Sequence, residues 1–193
     1  KKRTRLSPED RLEQLLDSTK EYIVKDGLNS LTMNSVAKQA GVSKPLLYKY
    51  FDSRLELLQA LLAREDERRY TKLRRALMNA EDYEQIIYTV VNHNFDERSR
   101  GDVWQVLADQ PDIAAVFEDS RKKRRLNVGR FLVKATVEQY DISKENARRI
   151  IRMASAASIG ASEQWASNEG EREELLNLTL QFIFSGFSAF TKK

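Results

Sequence analysis

Cysteine is absent from the 193 residues, so disulfides, thiolate catalysis and cysteine-ligated zinc are excluded. Histidine occurs once, at His93. One imidazole, no nucleophile motif and no metal-ligand cluster weigh against a helical enzyme, which measurable turnover on a cavity ligand would revive. No enzyme, cofactor or metal is expected. The carboxylates fall mostly at helix starts or in ion-pair spacings. No apolar run approaches the roughly 18 residues that suggest a membrane span, and no membrane partner is expected. The first residues lack the apolar stretch of a secretory signal, so a cytoplasmic protein is the expectation. Proline occurs three times and glycine seven, which leaves few places to stop a helix. Nowhere do valine and isoleucine alternate with polar residues for long. Helical periodicity recurs instead, and the fold class is all-α.

Charge is plentiful and unevenly placed. Charged residues make up 32% of the chain and the formal net charge is +4. Residues 1–55 carry 11 Lys and Arg against 7 Asp and Glu, whereas 56–193 carry 22 of each. A basic first quarter attached to a neutral body fits a nucleic-acid reader with a separate second function. Lys1, Lys2, Arg3 and Arg5 supply four of the eleven, so chance plus a basic tail is the alternative account of the excess.

The periodicity predicts about nine helices. The first runs over 8–26, with Ser7 as cap, Pro8 at the first helical position and Glu9 and Asp10 complementing the dipole. Leu12, Leu15, Leu16, Thr19 and Ile23 make its inner face, and Gly27 ends it. A short helix follows over 33–39 or 40, capped by Thr32, and Gly41 permits the positive φ of a tight turn. Ser43 caps a third helix over 44–50. Pro45 has no amide hydrogen, so the Ser43 hydroxyl is expected to accept from Leu46 instead. Ser53 and Glu56 have capping-box spacing and open a long helix to about 79. Further helices are expected over 82–97, 102–109, 112–140, 144–167 and 172–190, with breaks at Arg100-Gly101, Gln110-Pro111, Asp141-Ile142-Ser143 and Asn168-Glu169-Gly170. Residues 1–53 read as a helix-turn-helix DNA-binding domain and 54–193 as an effector-binding and dimerisation domain.

The informative stretch is 31–51: a short helix, a glycine turn and a second short helix, which is the helix-turn-helix layout. Val36, Ala40, Val42, Leu47 and Phe51 are spaced to pack the two helices on each other and on the first. Small Ala40 and Gly41 allow a close crossing. What remains outward is Thr32, Ser43, Lys44, Pro45, Tyr48 and Lys49, a set suited to a major groove and its flanking phosphates.

The run Ala40-Gly41-Val42-Ser43-Lys44, then Leu47-Tyr48-Lys49-Tyr50-Phe51, then Arg54 and Leu57-Leu58, resembles the TetR-family DNA-binding domain over about residues 8–60. The rest agrees with that family only in the lengths and order of its helices. The resemblance implies that Thr32 meets phosphate and that Ser43, Lys44 and Pro45 start the groove-facing helix. It also implies that Tyr48 and Lys49 meet backbone or bases, and that Arg54 stands where the family usually has a phosphate-binding lysine. Pro45 and Leu46 replace a Gly-Thr pair common in the family. Neither carries a side-chain donor, so base reading there is expected to be apolar, toward thymine methyl groups.

Toward the C-terminus, Ile150, Ala154, Ala157, Ser158, Ala161 and Trp165 form one stripe of the 144–167 helix. The 172–190 helix is apolar nearly all round, including Leu176, Leu180, Ile183 and Phe187. Such a helix must be covered on both sides. Burial within one chain satisfies this; so does a homodimer, one side packing on its own domain and the other on a second copy. The second copy is the simpler cover, with Ile150, Ala154, Ala157, Ala161, Trp165, Leu176, Leu180, Ile183 and Phe187 at the interface, and this arrangement matches the dimer of the TetR family. Two recognition helices on successive half-sites of double-stranded operator DNA also suit tight binding better than one.

If the resemblance extends through 55–140, these residues surround a cavity for a small-molecule effector. Leu61, Tyr83, Ile87, Tyr88, Val91, His93, Phe95, Trp104, Leu107, Phe117 and Phe131 are its candidate lining, and a mostly apolar set suits an apolar or aromatic effector. Plain core packing explains the same residues. The run Arg121 to Arg125 spans more than one helical turn and cannot share one face. Glu118 and Asp119 lie four residues before Lys122 and Lys123, so part of it is paired. A solvated face, an anionic ligand such as an acyl-coenzyme A, and a second phosphate contact are its three readings. The expected function is a repressor released from its operator by an effector; the alternative is an effector-independent DNA-binding protein or an activator.

Overall fold

The computed structural model describes residues 6–98 and 102–190, and every regular element among them is helical. The expected break at Arg100-Gly101 lies outside the described residues, as does the basic stretch Lys1 to Arg5. The described residues form two compact units, 6–67 with 102–118, and 68–98 with 119–190. The first unit is larger than the 1–53 segment read from sequence, because the opening half of the long helix and residues 102–118 share its core.

In the first unit, α1 is Pro8–Asp26. The Ser7 hydroxyl oxygen accepts from the Asp10 amide at 3.0 Å, and the Gly27 amide closes the helix on the Ile23 carbonyl at 3.0 Å with φ +82°. A 3-10 turn, Leu28–Ser30, leads to α2, Met33–Gln39, and then α3, Lys44–Tyr48. The sequence pattern gave no sign of that turn, and α3 stops two residues short of the expected end. α4, Arg54–Met78, begins where the Ser53 hydroxyl oxygen accepts from the Glu56 amide at 3.1 Å. α6, Val103–Ala108, and α7, Pro111–Ala114, complete the unit. Leu15, Leu16, Val36, Leu47, Leu57, Leu58, Leu61 and Leu107 are its fully or almost fully buried centre.

An ion network ties α1 to α4. Arg64 lies 2.8 Å from Asp17, 3.1 Å from Glu13 and 3.0 Å from Glu65, and Lys20 lies 2.7 Å from Glu65. Burial pushes the Glu65 carboxyl up, but the Lys20 and Arg64 cations outweigh it and hold the group below the usual carboxylate range.

The second unit contains the C-terminal part of α4, α5 (Tyr83–Glu97), α8 (whose described helix is Glu118–Tyr140), α9 (Lys144–Ala166) and α10 (Arg172–Ser188). The continuous helix expected over 112–140 is therefore broken. It becomes α7, a 3-10 turn Ala115–Phe117, and α8. Neither proline nor glycine marks that break; it falls where the chain leaves the first unit. α5, α9 and α10 pack on one another around Tyr83, Ile87, Val91, Phe95, Ile150, Leu176, Ile183 and Phe187. Thr136 donates its hydroxyl to the Leu132 carbonyl at 2.7 Å, so at 2.9 Å the Tyr83 hydroxyl is the donor to Thr136. Among the described residues no helix is long and apolar enough to cross a membrane.

Candidate nucleic-acid interface

The head is built by three short-range devices. Thr32 and Ser35 cap α2 reciprocally. Gly41 adopts φ +64°, which turns the chain between α2 and α3 at a residue without Cβ. The Ser43 hydroxyl oxygen accepts from the Leu46 amide at 3.4 Å, the bond that Pro45 forces. Val36, Ala40, Leu47 and Phe51 are buried beneath, so the outer faces of α2 and α3 are fixed by what lies inside. Gln14 of α1 adds a tie, donating from Nε2 to the Ala40 carbonyl at 3.2 Å.

Thr32, Ser43, Lys44, Pro45, Tyr48 and Lys49 are all exposed. Lys44 Nζ lies 5.8 Å from the centre of the Tyr48 ring, four residues on, so cation and ring share one side of α3. Leu46 is half-buried, which leaves Pro45 as the exposed apolar residue of the pair that departs from the family pattern. Arg54 is placed differently from the rest. Its Nε donates to the Leu31 carbonyl and its Nη2 to the Leu28 carbonyl, both at 2.8 Å. Ser35 and Gln14 support the head as well, although the helix-turn-helix pattern alone does not single them out. Thr32-x-x-Ser35 has capping-box spacing, with serine in place of the usual Glu or Gln.

The eleven residues read as a cavity lining divide between the two units. Leu61, Trp104 and Leu107 are buried in the first core, with Phe117 half-buried against it. Tyr83, Ile87, Val91 and Phe95 are buried in the second. Tyr88 and Phe131 are 46% and 38% exposed. His93 is half-buried, with Nε2 3.3 Å from Glu97. Burial raises the Glu97 carboxyl, yet the hydrogen bond to His93 and the charges of His93, Arg69 and Arg121 bring it below its ordinary range. The basic run also divides: Arg121 and Arg124 are half-buried and Arg124 lies over the Tyr70 ring at 5.0 Å, whereas Lys122, Lys123 and Arg125 are exposed.

The interface set divides as well. Ile150, Leu176, Ile183 and Phe187 face the core of their own unit and are buried there. Ala154, Ala157, Ala161, Trp165 and Leu180 are half-buried. The apolar residues that α9 and α10 leave outward are others, Met153, Ile159, Leu178 and Phe182, the last two 61% and 69% exposed.

A short capped helix, a glycine turn and a second short helix with an exposed basic and hydroxyl-bearing face define a helix-turn-helix DNA-binding head on an all-helical protein. The family model of bacterial regulatory proteins, tetR family, matches residues 15–61. The transcriptional activator FasR of Mycolicibacterium smegmatis is 27% identical over 194 residues, covering 95% of this chain and 86% of that protein. The transcriptional repressor KstR of the same species is 35% identical over 82 residues, covering 42% of this chain and 40% of KstR. The solved structure of the fatty acid degradation regulator FadR from Bacillus halodurans superposes with a TM-score of 0.64 at 19% identity, covering 93% of this chain and 96% of that one. Residues 15–61 are a tetR-family DNA-binding segment, and together the matches support a TetR-family DNA-binding transcriptional regulator.

Proposed function

We propose that two copies of the chain bind a two-fold operator over a promoter as a repressor, and that a small apolar effector in the helical body releases them. The observation that carries this reading is the row of exposed Thr32, Ser43, Lys44, Pro45, Tyr48 and Lys49 on a head braced from inside. Thr32 meets phosphate; Ser43, Lys44 and Pro45 enter the groove; Tyr48 and Lys49 flank it. The copies meet through α9 and α10. Leu178 and Phe182 are four residues apart on one side of α10, and large apolar side chains exposed to that degree mark an association surface.

In this reading the effector binds in the second unit among Tyr83, Ile87, Val91 and Phe95, which share one apolar core, with His93 as the nearby polar group. KstR is named a repressor, which favours repression, and FadR a regulator of fatty acid degradation; an apolar effector suits the latter name and the apolar character of Tyr83, Ile87, Val91 and Phe95. FasR, a relative matched along most of the chain, is named an activator, and it favours a second reading in which the same dimer binds upstream of its promoter. Footprinting of a duplex selected by the protein from its own genome separates the two. Protection across the promoter, lost on adding effector, supports repression and release; protection upstream with transcription raised supports activation.

A further inference from the structure

We propose that Arg54 is a positioning residue of the DNA-binding head, setting the start of α2 through two backbone carbonyls, and not a phosphate contact. The proposal rests on the reading of 32–49 as the DNA-binding face. Three observations carry it. The Arg54 guanidinium reaches from the first turn of α4 across to the link between α1 and α2, where Nε meets the Leu31 carbonyl and Nη2 the Leu28 carbonyl, each at 2.8 Å. Both receiving residues are buried, Leu31 at 2% and Leu28 at 9% exposure, so these carbonyls have little access to water as a substitute partner. Arg54 is itself half-buried, with two of its donors directed inward.

The local mechanics explain why such a brace matters. α2 is seven residues long, too short to hold its own axis. Its start is Thr32, and the carbonyl immediately before Thr32 is the one that Nε grips. The Leu28–Ser30 turn is already closed by the Leu31 amide on the Leu28 carbonyl at 3.2 Å and by Ser30 Oγ on the Asp26 carbonyl at 2.8 Å. Arg54 ties that closed turn to α4. α4 thereby fixes α2, and through the Gly41 turn it fixes α3. A planar guanidinium can bond two carbonyls at once through separate nitrogens; a lysine ammonium carries its three donors on one nitrogen, which cannot occupy both the Nε and Nη2 positions. The charge of a lysine is the same, so the two roles predict opposite outcomes for Arg54→Lys.

The experiment uses the full chain and a duplex enriched by it from a random-sequence library. Affinity is measured against salt concentration for the wild type, Arg54→Lys and Arg54→Ala. Amide hydrogen exchange of the free proteins is followed over 28–40. Both variants should weaken binding at least tenfold, with the salt slope of the wild type retained, and both should speed exchange at the start of α2. A lysine variant that binds like the wild type overturns the proposal. So does a slope reduced by about one in the alanine variant, the signature of one lost phosphate contact. Unchanged exchange overturns it as well. Should Arg54→Ala fail to fold, the lysine variant, which keeps stem and charge, decides the matter. A wild-type chain that enriches no duplex refutes the reading of the head itself, and exchange in Arg54→Lys then tests the brace alone.

Discussion

Thr32 and Ser35 exchange hydrogen bonds across the first turn of α2: the Ser35 amide donates to Thr32 Oγ1 at 3.1 Å and the Thr32 amide donates to Ser35 Oγ at 2.9 Å. Two amides that the helix itself leaves without partners are satisfied at once. Thr32→Ala removes the acceptor for one of them and is expected to destabilise the protein by about 1 kcal/mol. Ser35→Ala should do the same, and the double variant should cost less than the two added, because both residues belong to one cap. Urea unfolding of the three variants measures this. Strict additivity would mean that the two bonds are independent.

Tyr48 and Lys49 follow Lys44 on the exposed side of α3, above a fully buried Leu47. The double variant Tyr48→Ala with Lys49→Ala is expected to fold normally, since neither side chain is in the core, and to lose operator affinity. Loss of one lysine from a phosphate should lower the salt slope by about one. Binding with unchanged affinity and slope would show that this side of α3 is not the face that meets DNA.

The head was legible in the sequence because its architecture is local. Ser7, Gly27, Thr32, Gly41, Ser43 and Pro45 each specify a cap or turn within four residues, and each stands where the sequence placed it. What the sequence left out is non-local. Arg54 bonds carbonyls 23 and 26 residues away, and no spacing rule points to them. On α10 the periodicity shows that apolar residues surround the helix, but not which side faces home. Leu176, Ile183 and Phe187 turned inward because α5 and α9 lie there, leaving Leu178 and Phe182 outside. The cavity set divides between two cores for a related reason. Helix order along 55–140 cannot reveal that Leu61 and Trp104 belong to one core and Tyr83 and Phe95 to another.

The two sides of α10 should respond differently to substitution. Phe187 is 3% exposed, against Tyr83 and Tyr140 with ring centres 5.7 Å from each. Phe187→Ala is expected to cost about 3–5 kcal/mol of stability through lost packing and a cavity. Phe182→Glu, on the open side, should leave the fold intact and place a charge in the proposed interface between copies. Sedimentation should then find a monomer where the wild type is a dimer. A Phe182→Glu protein that remains dimeric would move the interface away from this face.

Acid should loosen the junction of α1 with α4 in a way that depends on Glu65. Its carboxyl, 2.7 Å from Lys20 and 3.0 Å from Arg64, is held below its usual range in the folded state. For a depressed carboxylate, the extra stability is fully present above the unfolded-state pKa, near 4.5, and is lost as pH falls through the lower folded-state value. Glu65→Gln keeps the shape but not the charge. At neutral pH it should destabilise the protein by about 2 kcal/mol, the scale of a lost hydrogen bond to a charged group, since Arg64 keeps Glu13 and Asp17. The gap in melting temperature between wild type and variant should stay constant down to the ordinary carboxylate range and close below it. A gap independent of pH down to strong acid would show that the Glu65 charge contributes nothing and that packing alone joins the two helices.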